Sequence, residues 1–355
     1  MKKLTNKFFI CFLLVVAIFF CSYKTTDIVK AENNSSEIVM ELNSHRILYA
    51  NNENEKKYMA STTKILTAIT IIENCNLQDI VTITNNCVGI EGSSIYLEVG
   101  EKLSVEHLLY GLMLRSGNDC AQTLALHCCG SVEKFADLMN EIARKIGAFN
   151  SNFVNPHGLH DDNHYTTAYD LALISCYAMK NDNFRKIVST KSIKIPFTTR
   201  NYDRHLLNKN KMLKEFDGST GIKTGYTKRA GRCLVSSCLR NGMELICVVL
   251  NCPPMFERSK LLLTNAFSDY KPYKLIESDN IIGFSKIENT SEKIPLCIKS
   301  DIILPLRKNE LSQLKVVYDY PKIVSSNIEK DTEIGKVKIY CENNLIFEEK
   351  IYTIV

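Results

Sequence analysis

Met59-Ala60-Ser61-Thr62-Thr63-Lys64-Ile65-Leu66-Thr67-Ala68 is the stretch from which this 355-residue chain is most directly read. Its apolar continuation predicts a long helix over residues 61–72. Residues three apart are neighbours on a helix, so the Lys64 amine falls within reach of the Ser61 hydroxyl. A serine hydroxyl becomes a useful nucleophile only when a base takes its proton. A lysine serves as that base only if burial or a nearby positive charge lowers its pKa. Taken alone, the spacing is far more often that of a surface lysine on a capped helix, so its meaning depends on the rest of the chain.

Downstream, Ser116-Gly117-Asn118 separates two runs with helical spacing, residues 105–114 and 120–127. These residues suit a plain interhelical turn. They also suit a second hydroxyl that relays a proton and an amide that holds a substrate carbonyl. Lys223-Thr224-Gly225 opens the strand-like part of the chain. A fixed cation and hydroxyl can clamp a free carboxylate, and glycine lets a substrate backbone come close and pair along a strand edge. A strand-opening lysine before a turn is the plainer reading. The three groups in this order, the first at a helix start and the third on a strand, are far harder to obtain by chance than any one.

Around them, residues 37–41 and 47–50 read as two strands, and Thr167-Ala168-Tyr169-Asp170 fits a capping box that opens a helix running to residue 177. Residues 232–238 and 243–251 flank Arg240-Asn241-Gly242, a strong hairpin signal, and 259–267 reads as a closing helix. Two strands, a block of helices, at least three strands and a helix imply an α+β domain whose antiparallel sheet is built from both ends of the segment. Beyond about residue 270 only short β-like runs remain (316–318, 337–340, 345–347). The expected division is a main domain over 32–270 and a small β-rich C-terminal domain over 275–355.

Residues 1–31 read as a signal peptide: Lys2, Lys3 and Lys7 precede an apolar run over 8–21, and Val29-Lys30-Ala31 offers a cleavage site. The run falls short of the ~20 residues of a membrane span; a retained N-terminal anchor is the rival reading. This segment carries five lysines and one aspartate, so four of the chain's five net positive charges leave with it. The near-neutral remainder gives no basis for binding nucleic acid or an anionic membrane. Twelve of the 14 cysteines lie in the exported part, irregularly spaced and without a CxxC pair. Several, including Cys75, Cys176, Cys233 and Cys247, sit in apolar runs, so buried thiols are expected rather than a disulfide framework.

The flanks of the three groups resemble those of the serine D-alanyl-D-alanine carboxypeptidases, the S11 peptidases among the low-molecular-mass penicillin-binding proteins. The resemblance rests on residues 59–68, on Leu114-Arg115-Ser116-Gly117-Asn118-Asp119-Cys120-Ala121, and on Asn155-Pro156-His157-Gly158-Leu159 with Thr166-Thr167-Ala168-Tyr169-Asp170-Leu171-Ala172. Gly221-Ile222-Lys223-Thr224-Gly225-Tyr226-Thr227 and Ala230-Gly231-Arg232-Cys233-Leu234 complete it, and it spans roughly residues 37–268. It implies a serine β-lactamase/transpeptidase-like domain that removes the terminal D-alanine from peptidoglycan pentapeptide stems. The chemistry would run through an acyl-enzyme, need no cofactor or metal and be inhibited by β-lactams. By the same resemblance Ser61 is the nucleophile and Lys64 its proton acceptor, with Ser116 and Asn118 assisting proton transfer and holding substrate. Lys223 and Thr224 bind the terminal carboxylate, the N–H groups of Ser61 and Tyr226 form the oxyanion hole, and Arg258 helps at the carboxylate. A role in wall synthesis and cell shape follows, outside the cytoplasm in the cell wall or at the outer face of the membrane. The family often ends in an amphipathic anchoring helix; residues 348–355 show no such pattern, so no stable membrane anchor is expected.

Three rivals remain at this stage. A class A β-lactamase needs a glutamate in an ExxLN group before KTG; the one Leu-Asn there is Leu207-Asn208, with Arg204 in the glutamate's place. A zinc hydrolase could draw ligands from His157, His160, Asp161 and His164, but no HExxH helix accompanies them. A non-catalytic wall-binding protein on the same fold would not need all three groups intact.

Overall fold

The structure, a computed structural model, describes residues 34–354; the expected signal peptide lies outside them. Strands β1 (Ser36–Glu41) and β2 (Ile47–Asn51) form a first hairpin. A 3-10 turn over Ala60–Thr63 then leads into helix α1 (Lys64–Asn74). A short ribbon, β3 (Ile80–Thr82) with β4 (Lys102–Ser104), precedes α2 (Val105–Leu114), α3 (Asn118–Cys129), α4 (Val132–Ile146), α5 (Ala168–Met179) and α6 (Asp182–Ser189). A second ribbon, β5 (Ser192–Ile195) with β6 (Arg204–Leu207), and the single turn α7 (Met212–Glu215) follow. Strands β7 (Ser219–Thr227), β8 (Gly231–Arg240) and β9 (Met243–Leu250) and helix α8 (Met255–Asp269) complete the domain.

The five long strands form one antiparallel sheet in the order β2-β1-β9-β8-β7. It is built from both ends of the domain, as the order of elements in the sequence implied, and it leaves β7 on an edge. Every residue of β1 and β9 is buried. Side chains alternate between faces along a strand. Ile246, Val248 and Leu250 therefore join the core under α1–α6, while Leu245, Cys247 and Val249 join the core under α8. A sheet covered on both faces needs no polar side, which is why these strands read as continuous apolar runs. Arg240 pairs with Met243, so Asn241 (φ 50°) and Gly242 (φ 78°) make the two-residue turn that the Asn-Gly pair predicted.

Local capping sets the helix starts. The Ser104 hydroxyl accepts the His107 N–H at 3.1 Å to open α2. Thr167 accepts the Asp170 N–H at 3.0 Å to open α5. The Asp170 carboxylate does not return the bond, as a full capping box requires. It turns instead to the Asn150 N–H (2.7 Å) and the Ser151 hydroxyl (2.8 Å), pinning the preceding loop. Nine of the twelve described cysteines are buried and all are free thiols. Cys75 departs from its expected core place: it ends α1 and is half-buried, as are Cys128 and Cys129 at the end of α3.

The remainder is β-rich: β10 (Lys271–Ile276), β11 (Gly283–Ile287), β12 (Lys293–Cys297), β13 (Ile302–Leu306), β14 (Leu314–Asp319), β15 (Ile323–Val324), β16 (Glu333–Cys341) and β17 (Asn344–Thr353). Six of these form a sheet ordered β14-β16-β17-β12-β11-β15, and β10 pairs with β13. They enclose their own core, including Leu296, Ile298, Leu304, Val337 and Ile351. Arg46 from the first hairpin donates to Glu310 (2.6 Å) and to the Pro305 carbonyl, tying the two parts together. Residues 344–353 are strand, and no described helix is long and apolar enough to cross a membrane.

Candidate active site

Ser61 sits not in the predicted α-helix but in the 3-10 turn just before it. Residues i and i+3 eclipse in a 3-10 turn, which brings the Lys64 amine to 3.1 Å from the Ser61 hydroxyl oxygen. Two glycines let other segments close on this turn. A Cβ at Gly225 would lie 3.0 Å from the Met59 carbonyl oxygen and 3.1 Å from the Ser61 nitrogen. The glycine of Lys223-Thr224-Gly225 thus admits the Ser61 segment against β7. Gly158 (φ 85°) is tighter still: a Cβ there would lie 1.9 Å from the Ala60 carbonyl oxygen.

Lys64 is fully buried. Its amine donates to the Ser61 hydroxyl, to the Asn118 side-chain oxygen at 2.7 Å and to the His157 carbonyl at 2.6 Å. Burial, then the positive charges of Lys223 and Lys209, hold its pKa well below the ordinary lysine value. Lys223, also buried, is brought down to about 7 by burial and by Lys209. Both influences that the sequence reading named as able to lower a lysine's pKa are therefore present, and the second cation supplies one of them.

The loop ahead of α3 adds Ser116, held at φ 64° and almost fully buried. The Asn118 amide donates to the Glu91 carbonyl at 2.5 Å while its oxygen accepts from Lys64. Asp119, which sequence reasoning passed over, anchors the facing loop. Its carboxylate accepts from the Ser94 hydroxyl (2.5 Å) and from the N–H groups of Ile95 (3.1 Å) and Leu97 (3.2 Å). The only sequence signal for it was an acidic residue in the first turn of a helix.

Ser61, Ser116, Thr224 and Tyr226 line one cleft of about 320 Å³. Lys64, Asn118 and Lys223 lie buried close by. Lys209, Arg232 and Ser93 also line the cleft; the sequence reading passed over Lys209 and Ser93, and met Arg232 only within the stretches 230–234 and 232–238, without a role. The Lys209 amine donates to the Ser93 hydroxyl at 3.2 Å. Arg258 does not join this set. Its guanidinium is buried against the Glu37 carboxylate (2.8 and 3.0 Å) and the Tyr49 hydroxyl (2.8 Å), fastening α8 to the first hairpin. A buried carboxylate on β1 holds the arginine there, and Lys209 and Arg232 are the cations at the cleft.

The histidine loop is structural. His164 Nδ1 accepts the Val154 N–H at 3.1 Å, so its other nitrogen donates to the Thr63 hydroxyl at 2.8 Å. Burial takes His164 down to about 4; burial and Lys64 take His157 to about 3. No group of three or more metal-ligating side chains among the described residues could hold an ion. Arg204, in the place of a β-lactamase glutamate, is buried against Glu101 and accepted by the Tyr96 carbonyl at 2.9 Å.

Comparisons with known proteins converge. The family model for D-alanyl-D-alanine carboxypeptidases matches residues 24–253, and that for the C-terminal domain of penicillin-binding protein 5 matches 270–354. A D-alanyl-D-alanine carboxypeptidase of Bacillus subtilis is 30% identical over 333 residues, covering 90% of this chain and 85% of its own length. One from Haemophilus influenzae is 32% identical, covering 84% and 79%. The solved structure of penicillin-binding protein 5 from Haemophilus influenzae superposes with a TM-score of 0.79 at 28% identity, over 93% of this chain and 98% of that one. The Streptomyces K15 DD-transpeptidase superposes with a TM-score of 0.61 at 32% identity, over 64% and 94%.

Proposed function

This chain belongs to the D-alanyl-D-alanine carboxypeptidase family and is a serine-type carboxypeptidase, and we propose that Ser61 is its acyl-forming nucleophile and Lys64 the base that activates it. The observation that carries this reading is a fully buried lysine amine 3.1 Å from a serine hydroxyl that opens onto a cleft. Neutral Lys64 takes the Ser61 proton as the oxygen attacks the carbonyl between the two terminal D-alanines. The N–H groups of Ser61 and Tyr226 receive the oxyanion. Lys223 and Thr224 bind the terminal carboxylate, Asn118 orients the acyl chain, and Ser116 carries the proton to the leaving amine. D-Alanine departs, and water then releases the shortened peptide from Ser61. Because β7 is an edge strand, part of its backbone is free to pair with an extended substrate.

The same reading extends to location and inhibition. Removal of residues 1–31 delivers the enzyme outside the cytoplasm, where peptidoglycan stem peptides are its substrates. A β-lactam, which carries a carboxylate beside a strained amide, acylates Ser61 and persists because its leaving amine stays attached. The peptidase domain ends near residue 270 and the β-rich domain begins near 275. The test is a fluorescent penicillin gel together with D-alanine release from a pentapeptide. Ser61→Ala loses both, with mass spectrometry placing the wild-type adduct on Ser61. Undiminished labelling of the variant, or an adduct on another residue, overturns the assignment.

A further inference from the structure

A second cleft of about 440 Å³ lies beside the first, between Tyr58, Tyr165, Asp162 and the turn that joins β7 to β8. The two sites share chain segments: Tyr58 is three residues before Ser61, and Arg229 three residues after Tyr226. At about 3.3 Å per extended residue, each offset spans at most roughly 10 Å. The direction of the substrate follows from the proposed function, on which this inference rests. With the terminal carboxylate at Thr224 and the scissile carbonyl at Tyr226, the chain before that bond continues past Thr227 toward Arg229. A residue two or three places upstream of the bond reaches this cleft.

The charges in the cleft are unevenly satisfied. Lys57 is engaged by Glu55 (2.6 Å) and the Asn34 side chain (2.7 Å). Asp162 accepts the Tyr58 hydroxyl at 3.0 Å and lies 3.5 Å from His160. Lys56 stands 4.3 Å over the Tyr165 ring, and Arg229 projects from the turn. Neither Lys56 nor Arg229 lies within ion-pair distance of a carboxylate among the described residues, and both are exposed. Two cations without a carboxylate partner among the described residues thus flank a cleft whose other charges already have ion-pair or hydrogen-bond partners.

We propose that this cleft is a subsite for an acidic residue of the acyl chain two or three places before the scissile bond, with Arg229 and Lys56 receiving its carboxylate. Such a subsite selects among peptides that share the same D-Ala-D-Ala end, through contacts made before the chemical step.

The test uses synthetic peptides ending in D-Ala-D-Ala that differ only by glutamate or glutamine at those two places, and a short neutral peptide that ends before them. At low salt the wild-type enzyme turns over the glutamate peptide with about tenfold higher kcat/KM, carried by KM, and roughly 0.3 M salt reduces the ratio. In the Arg229→Gln, Lys56→Gln double variant the ratio falls to within about twofold. Equal kcat/KM for both long peptides in the wild type, with the short peptide still hydrolysed, overturns the subsite. A ratio preserved in the double variant overturns its assignment to these two cations. Failure of the wild type on the short peptide refutes the reading of the Ser61 site instead.

Discussion

Replacing Gly158 by alanine tests how tightly Lys64 and Ser61, the proposed base and nucleophile, are positioned from outside their own turn and helix. The new Cβ would stand 1.9 Å from the Ala60 carbonyl oxygen and 2.8 Å from the Thr63 hydroxyl. An ordinary contact is about 3.5 Å, so one segment has to move by roughly 1.5 Å. Either segment matters. Ala60 precedes Ser61, and the neighbouring His157 carbonyl accepts the Lys64 amine at 2.6 Å. A displacement of about 1 Å at reacting groups costs on the order of 100-fold in rate. Alanine in left-handed backbone also costs ~1–2 kcal/mol on its own. Gly130 isolates that second part: it has φ 76° at the end of α3, and a Cβ there meets nothing within 4 Å. Gly130→Ala is expected to lower the melting temperature by several degrees, at about 2–4 °C per kcal/mol, and to acylate with penicillin at the wild-type rate. Gly158→Ala is expected to melt lower still and to acylate about 100-fold more slowly at temperatures where it remains folded. Acylation by Gly158→Ala within threefold of wild type would refute the claim that this close approach positions the site.

Two further outcomes follow from buried charge. Lys223→Met removes the largest positive influence on Lys64 after burial. The Lys64 pKa then rises, and the acid limb of the acylation profile moves to higher pH; an unmoved limb between pH 5 and 9 contradicts the coupling. Arg258→Met leaves the buried Glu37 carboxylate without its guanidinium, which costs ~3–5 kcal/mol. KM for a D-Ala-D-Ala peptide should change less than about twofold, whereas a large rise in KM with an unchanged melting temperature would return Arg258 to the carboxylate subsite.

Much of this arrangement was legible because it is local. The Ser61–Lys64 spacing, the Asn241-Gly242 turn and the Thr167 cap are decided by neighbours within four residues, and each formed close to where it was read. The order of elements was enough for an antiparallel sheet made from both ends of the domain. What escaped the sequence was set by long-range partners. Arg258 looked like a carboxylate ligand by its place in the chain, but Glu37, 221 residues away, holds it. Lys209 reaches the cleft because Ser93 and the Leu114 carbonyl meet its segment across the fold. Gly158 stood in the sequence only as one residue of the stretch 155–159, and its close approach to Ala60 exists only once that stretch is packed against the turn before α1.

The two buried lysines show why the site works against the fold that holds it. Lys223 has a pKa of about 7 in the folded chain against 10.5 as its ordinary value. Between those values the unfolded chain binds more protons than the folded one, so stability rises with pH across that window. At pH 7 and below the full penalty applies, on the order of several kcal/mol at ~1.4 kcal/mol per pKa unit. Lys64, shifted in the same direction, adds to it. A carboxylate placed against Lys223 supplies the missing counter-charge, raises that pKa again and returns part of the penalty as binding free energy. The same desolvation that lowers the Lys64 pKa, as the proposed base requires, therefore also strains the cleft electrostatically. Lys223→Met should accordingly melt higher than wild type at pH 7 and bind penicillin more weakly. A single charge moves both quantities in opposite directions, because stability and recognition here are two readings of one buried amine.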